Sequence, residues 1–554
     1  MNPSRKILSA AGTVGGATLL SRILGFIRDM VVAWSFPPGV RDAFFVAFRL
    51  PNTMRRLFGE GAMVISFIPV FTDIVKKDKD EARKVFDISS TLLTIVLAVL
   101  ITLGIIFSKE VLWVFAPGFY NDTQKARLTI ILLQVMFPFL LLVSLVALAQ
   151  GVLNTLNHYL APAIAPALLN VFMIAGTLFL SRYFSTPALG LALGVLAGGF
   201  AMLLIQFPFL AKRGFIPRPR LNYRHPAVKQ ILLLMAPAAF GLLVYQFNML
   251  VSTILASLLP EGSVSWLFYA QRFTELPLGI FAVAIGTAAL PALSAHITDN
   301  DKAGFRSSYL YSLNLVMFLT IPSALGIMAL SMPIFSAFFQ RGNFDFYETS
   351  MSANALIAYA LGLPAIAGAR VTAPAFYAQK DTRTPVRIAV WSFFVNLLFS
   401  VILMGVGYIT EPVFNKFGFT VTNKFWYALS SHKFLAHTGL ALATSISAWY
   451  NFLTLTLILH KRIGGLNYKA VFNSIAKTSA ASLIMTLVVY ITIHLNTANW
   501  GKTGVNLDKV ATLLGATIIG VAVFSGVSYL LKQQELRDIL SGLSRRLKAK
   551  RKTF

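Results

Sequence analysis

Long apolar runs, separated by short polar breaks containing proline, glycine and charge, recur from one end of the chain to the other. The breaks predict about fourteen hydrophobic helices, near 10–34, 42–75, 85–113, 126–156, 162–182, 187–211, 228–258, 264–296, 305–334, 350–378, 386–410, 436–460, 470–494 and 509–531. Crossing a bilayer takes roughly 20 apolar residues. The second run would be about 50 Å long at 1.5 Å per residue, so it must tilt, kink or project into water. Gly25 and Pro51 are the expected break points. The first run has the basic and apolar parts of a signal peptide, but it continues past Arg22 without a small-residue cleavage site and reads as a retained span. No water-soluble domain fits between the runs, and the fold class is an all-α polytopic membrane protein.

Composition sharpens this picture. Of 554 residues, 56% are apolar and 12% charged, and the net charge is +27. In a soluble protein such a charge would suggest nucleic acid, but here it is scattered over short loops and the tail, with no recognition fold around it. It serves topology and headgroup attraction instead. The largest clusters are Lys76, Lys77, Lys79, Arg83 and Lys84, then Lys212, Arg213, Arg218, Arg220, Arg224 and Lys229, then the tail from Lys532. With an even number of spans, they place both termini on the cytoplasmic side. The absence of cysteine excludes disulfides, thiolate metal sites and thiol catalysis.

A weak internal repeat suggests two lobes. Ala47-Phe48-Arg49 resembles Ala270-Gln271-Arg272 at an offset of 223 residues, and each leads into a small, apolar stretch ending at a proline, Pro69 or Pro291. An offset of about six spans makes the repeats parallel. The expected organisation is an N-terminal lobe over 1–211, a basic cytoplasmic linker over 212–227, and a C-terminal lobe over 228–460. Two further spans over 461–531 and a basic cytoplasmic tail over 532–554 complete it.

Charges inside the spans are the candidate chemistry. Arg22, Arg28, Arg49, Arg55 and Arg56 lie in the first two runs. A charged side chain at the bilayer centre costs at least about 3 kcal/mol, so five of them imply a water-filled, charge-lined interior. Arg22 and Asp29, seven apart, share a helical face. A bend at Gly25 would turn Arg28 inward as well, whereas the blander alternative is an Arg28–Asp29 pair held against neighbouring helices. Asp42 sits at the outer mouth of the second run. Arg49, Arg56 and Glu60 share a face, with Arg56 and Glu60 spaced as an ion pair, which leaves Arg55 as the freer cation near mid-membrane. Arg272 and Glu275, three apart, read either as a ligand contact or as an interlobe latch. Guanidinium groups offer bidentate bonds to phosphate and keep their proton, which suits a diphosphate ligand better than a metal ion or a cationic compound.

Enzymatic signals are absent. There is no GxxxxGK[ST] loop and no HExxH, and the histidines are dispersed, with His432 and His437 expected in an outer loop. No metal site and no cofactor is expected. Asp29, Glu60 and Glu275 form no cage for a hard cation, so transport would draw on membrane potential or an ion gradient that the sequence does not identify. Gly15, Gly16, Gly190, Gly194, Gly198 and Gly199 read as close helix packing.

The segments SRILGFIRD at 21–29, DAFFVAFRLPNTMRRLFGEGA at 42–62 and WLFYAQRFTELPLGIFAVAIGTAALP at 266–291 resemble the MurJ (MviN) lipid II flippases, within the multidrug/oligosaccharidyl-lipid/polysaccharide exporter superfamily. The resemblance implies a V-shaped arrangement of two six-helix lobes plus two C-terminal helices. It implies movement of undecaprenyl-diphosphate-linked disaccharide pentapeptide from the inner to the outer leaflet by alternating access. Family arginines of the central cavity fall on Arg22, Arg28, Arg55 and Arg272, and acidic residues on Asp29, Asp42 and Glu60. The last two spans would hold the polyprenyl tail. Lipid II and membrane lipids are the implied partners, with cell-wall synthesis proteins as further candidates and no nucleic acid, and the place is the bacterial inner membrane. Gln271 stands where the family often has an acid, and the loop 411–435 is long and aromatic. Export of another polyprenyl-linked saccharide or amphipathic compound, and a membrane assembly or interaction role, are the alternatives.

Overall fold

The computed structural model describes residues 3–54, 64–405, 408, 435–465, 468–495, 500–504 and 507–551, and among these there is no β-strand. Among the described residues, eleven helical segments, from Lys79–Ile106 to Leu507–Leu530, are long and apolar enough to cross a membrane. They coincide with the expected spans three to six and eight to fourteen. Over the expected first, second and seventh spans lie the helices Pro3–Ser35, Pro38–Met54 with Val64–Lys77, and Pro226–Ser257, which are not among the eleven. The expected break points do not end helices: the first helix runs through Gly25 and the second through Pro51.

Packing divides the chain into two compact units, Met1–Ser265 and Trp266–Phe554. The first holds α1 (Pro3–Ser35), α2 (Pro38–Met54), α3 (Val64–Lys77), α4 (Lys79–Ile106), α5 (Ser108–Phe115), α6 (Thr123–Met136), α7 (Phe139–Thr155), α8 (Leu160–Ala175), α9 (Ala188–Lys212) and α10 (Pro226–Ser257). Aspartates begin two of these helices: Asp78 accepts the Asp80 and Glu81 amides at the start of α4, and Asp122 does the same for Gln124 and Lys125 at α6. Each satisfies donors that a helix start leaves without intrahelical partners.

Helices α8 and α9 approach closely because glycine lines the contact. A Cβ on Gly194 would lie 2.6 Å from the Phe172 carbonyl, and one on Gly198 would lie 2.9 Å from the Leu169 Cα. Gly15 and Gly16 do not share this role, since a Cβ on either would meet open space.

The segment joining α9 to α10 is pinned across α4. Phe215 is buried beside Phe71 and Phe86, with ring centroids 5.7 and 6.1 Å away. Burying such a ring contributes roughly 1.5–3 kcal/mol. The Arg218 amide donates to Asp87 (3.0 Å) and the Arg220 amide to Thr91 (3.0 Å). Helix α10, assigned from the sequence to the second lobe, packs on α3 within the first unit.

The second unit begins within α11 (Ser263–Pro277) and continues through α12 (Val283–Thr298), α13 (Lys302–Phe338), α14 (Phe346–Ala360), α15 (Leu363–Ala378), α16 (Arg383–Met404), α17 (Ala436–Arg462), α18 (Tyr468–His494), α19 (Leu507–Leu530) and α20 (Gln534–Arg551). A π-helical turn, Leu278–Ala282, joins α11 to α12 directly after Pro277, whose ring removes a backbone donor. The core gathers Phe305, Tyr309, Val316, Leu363, Val371 and Phe376. Helix α18 packs on α13 and α19. Lys509, at the start of α19, is fully buried and donates 3.0 Å to Ser336 Oγ.

Candidate functional site

Two charged clusters in the first unit are built from residues far apart in sequence. Arg28 and Asp29 are both buried, and Arg28 donates through Nε (3.0 Å) and Nη2 (2.5 Å) to Asp29 Oδ1. Its Nη1 reaches Asn170 Oδ1 on α8 at 2.9 Å and the Met173 sulfur at 3.8 Å. Arg28 and Asp29 thus form a buried pair held against α8. Arg22, six residues earlier on the unbroken α1, is exposed.

The second cluster surrounds Asp42 on α2, which is 1% exposed. Its carboxylate accepts from the Gly262 amide (2.8 Å), the Ser265 amide (2.9 Å), the Ser265 hydroxyl (2.8 Å) and Lys125 Nζ (3.1 Å). Gly262 has φ +94°, a conformation that only glycine adopts without strain, and this turn presents its N–H to the carboxylate. Asp42 thus ties α2 to α6 and to the first turn of α11. On the same helix, Arg49 donates to Thr253 Oγ1 on α10.

In the second unit, Arg272 and Glu275 lie on α11 with Nη1 and Oε2 3.7 Å apart, both partly exposed, and the Arg272 guanidinium lies 5.3 Å from the Phe268 ring centroid. A half-exposed pair of this length contributes little to stability and leaves the guanidinium accessible. Arg55, Arg56 and Glu60 lie outside the described residues.

Sequence spacing did not find Asn170 and Lys125, the partners of Arg28 and Asp42, because neither lies near its partner in the chain. Glu348 was missed for the same reason; it is buried and accepts from Trp266 Nε1 at 2.9 Å. His437 corrects an expectation: it is buried rather than at a mouth, 3.0 Å from the Met351 carbonyl and 4.7 Å from the Trp266 ring. Among the described residues no group of three or more His, Cys, Asp or Glu side chains is placed to hold a metal ion.

The helical fold is one that solved membrane transporters share. An inward-facing multidrug resistance MATE family transporter of the MOP superfamily matches 80% of this chain and 94% of its own with a TM-score of 0.64, at 14% identity. A solved lipid II flippase MurJ in an inward closed conformation matches 95% of this chain and 99% of its own, with a TM-score of 0.74 at 28% identity. The model of the lipid II flippase MurJ family matches residues 39–510. The chain is 34% identical over 538 residues to a probable lipid II flippase MurJ of Vibrio cholerae serotype O1, covering 95% of this chain and 97% of that protein. It is 33% identical over 540 residues to a lipid II flippase MurJ of Burkholderia cenocepacia, covering 96% and 98%. The chain belongs to the MurJ family. That is a family of multi-pass bacterial membrane transporters rather than of enzymes.

Proposed function

We propose that this protein flips lipid II from the cytoplasmic to the outer leaflet by alternating access, with no covalent chemistry. The observation that carries the reading is family membership over almost the whole chain, joined to arginines inside apolar helices. Arg22, Arg28, Arg55 and Arg272 bind the diphosphate, because guanidinium groups in a low-dielectric cleft hold phosphate oxygens bidentately. Asp29, Asp42, Arg49, Arg56, Glu60 and Glu275 support or gate that set. Crossing unaided would require dehydrating the head's charges in hydrocarbon, and a hydrated cleft removes that step. Fourteen spans, with both termini cytoplasmic in the bacterial inner membrane, complete the reading. The polyprenyl tail lies along α18 and α19, outside the polar cleft.

The test is leaflet-resolved lipid II translocation in vesicles containing the purified chain. Neutralising Arg22, Arg55 or Arg272 should reduce the rate at least tenfold with the fold retained. Unchanged rates would remove these side chains from the mechanism, and no movement of lipid II by the unaltered chain would reject the reading as a whole.

A further inference from the structure

Asn170 occupies an unusual place between two helices. It lies on α8, is 6% exposed, and each end of its carboxamide is used. Oδ1 accepts from Arg28 Nη1 at 2.9 Å, while Nδ2 donates to the Ser21 carbonyl at 3.1 Å and to the Pro166 carbonyl of its own helix at 3.2 Å. The side chain reaches α1 beside Gly25, where an added Cβ would lie 3.6 Å from the Asn170 nitrogen. One side group therefore touches α1 at two levels, at the turn that carries Arg22 and at Arg28 itself.

The donor count shows what this does to the guanidinium. Arginine has five N–H groups in a rigid fork. Asp29 takes one from Nε and one from Nη2, and Asn170 takes one from Nη1. Asp29 is the next residue on the same helix, so it fixes Arg28 only relative to α1. Asn170 fixes it relative to α8. Without that bond the guanidinium would keep only the weak contact to the Met173 sulfur (3.8 Å) on the α8 side, and the alignment of α1 along α8 would lose its strongest directional contact to Arg28.

We propose that Asn170 is a positioning residue of the transport site, holding the Arg28 guanidinium in fixed orientation between α1 and α8 so that it meets a diphosphate-bearing headgroup already aligned. The proposal rests on the lipid II reading for its ligand but not for the clamp. Pre-orientation acts on headgroup capture, because a guanidinium that is already fixed loses less freedom when it binds.

Asn170→Leu keeps a comparable volume and removes both polar ends; Asn170→Asp keeps an acceptor for Arg28 and loses the donor to Ser21. Two measurements separate the clamp from the transport reading. In chain labelled with nitrogen-15 at arginine, the Arg28 Nη lines, assigned by their loss in Arg28→Lys, should be resolved in the unaltered protein and merge by fast rotation in Asn170→Leu. In vesicles, Asn170→Leu should raise the lipid II concentration for half-maximal flipping about tenfold, with a smaller change in the maximal rate. Asn170→Asp should fall between the two. In an Arg28→Lys background the same Asn170→Leu change should shift that concentration less than about twofold.

A merely structural asparagine would lower the thermal midpoint and act equally in both backgrounds, which would overturn the proposal. Averaged Arg28 lines in the unaltered protein would overturn it as well. If the unaltered chain moves no lipid II, the function reading fails while the guanidinium lines still decide the clamp.

Discussion

Asp42 shows how much one carboxylate can organise. Four donors converge on it inside the protein, two from the backbone, one from a hydroxyl and one from Lys125. Asp42→Ala would strand two amides and leave Lys125, itself largely buried, without its counter-charge. The expected loss is about 3 kcal/mol, since breaking a buried pair exposes the full desolvation cost of the remaining ion. A thermal midpoint equal to that of the unaltered protein in the same detergent would refute this account. Sequence spacing could pair Arg28 with its neighbour Asp29, because that inference needs only local geometry. It could not supply Lys125 or Asn170, since a partner 83 or 142 positions away is fixed by helix packing, not by periodicity. His437 was misread for a related reason. Its position near a span end suggested water, whereas Trp266 and the α14 backbone enclose it.

At the level of helices, hydropathy was a sufficient guide to eleven of the expected spans among the described residues, because lipid demands internally satisfied backbone and apolar surface over a set length. It was a poorer guide to contacts: a Cβ on Gly15 or Gly16 would meet no described atom. Loop chemistry can be tested by pH. Asp381, before α16, accepts from the Thr384 hydroxyl (2.6 Å) and amide (3.0 Å) and from Arg462 at the end of α17 (2.6 Å). The Thr384 donors, followed by Arg462, hold its carboxyl well below the usual carboxylate range. A depressed folded value means that the stabilisation is complete above the unfolded pKa of about 3.9 and is lost as pH falls through the folded value. Asp381→Asn should therefore lower the thermal midpoint by a constant amount from pH 5 to 8, and the gap should narrow only in stronger acid. A gap that closes already near pH 6 would assign the effect to another group. For α18 and α19, crosslinkers along 470–494 and 509–531 should capture the polyprenyl part of lipid II in preference to its sugars. Capture of sugars alone would reject the tail groove.

For the whole molecule, the energy source is the main quantity to measure. Each elementary charge crossing the full field is worth about 2.3 kcal/mol per 100 mV, and with a negative interior the anionic head is favoured outward. Collapsing the potential should therefore slow net flipping; equal rates at zero and 100 mV, with no ion gradient, would exclude direct voltage coupling. The basic stretch 212–227 reads as a linker by charge, yet Phe215 is buried beneath it, and the packing boundary falls at Ser265 and Trp266. This carries a consequence for proteolysis. Arg220 and Arg224 are exposed and neither precedes proline, so trypsin can cut after both, whereas Pro219 protects the bond after Arg218. Both cuts lie beyond the amides bonded to Asp87 and Thr91 and before α10, which packs on α3. A nicked chain should run as two pieces on a denaturing gel yet elute as one particle in mild detergent, because the severed loop lies within a folded unit and not between two.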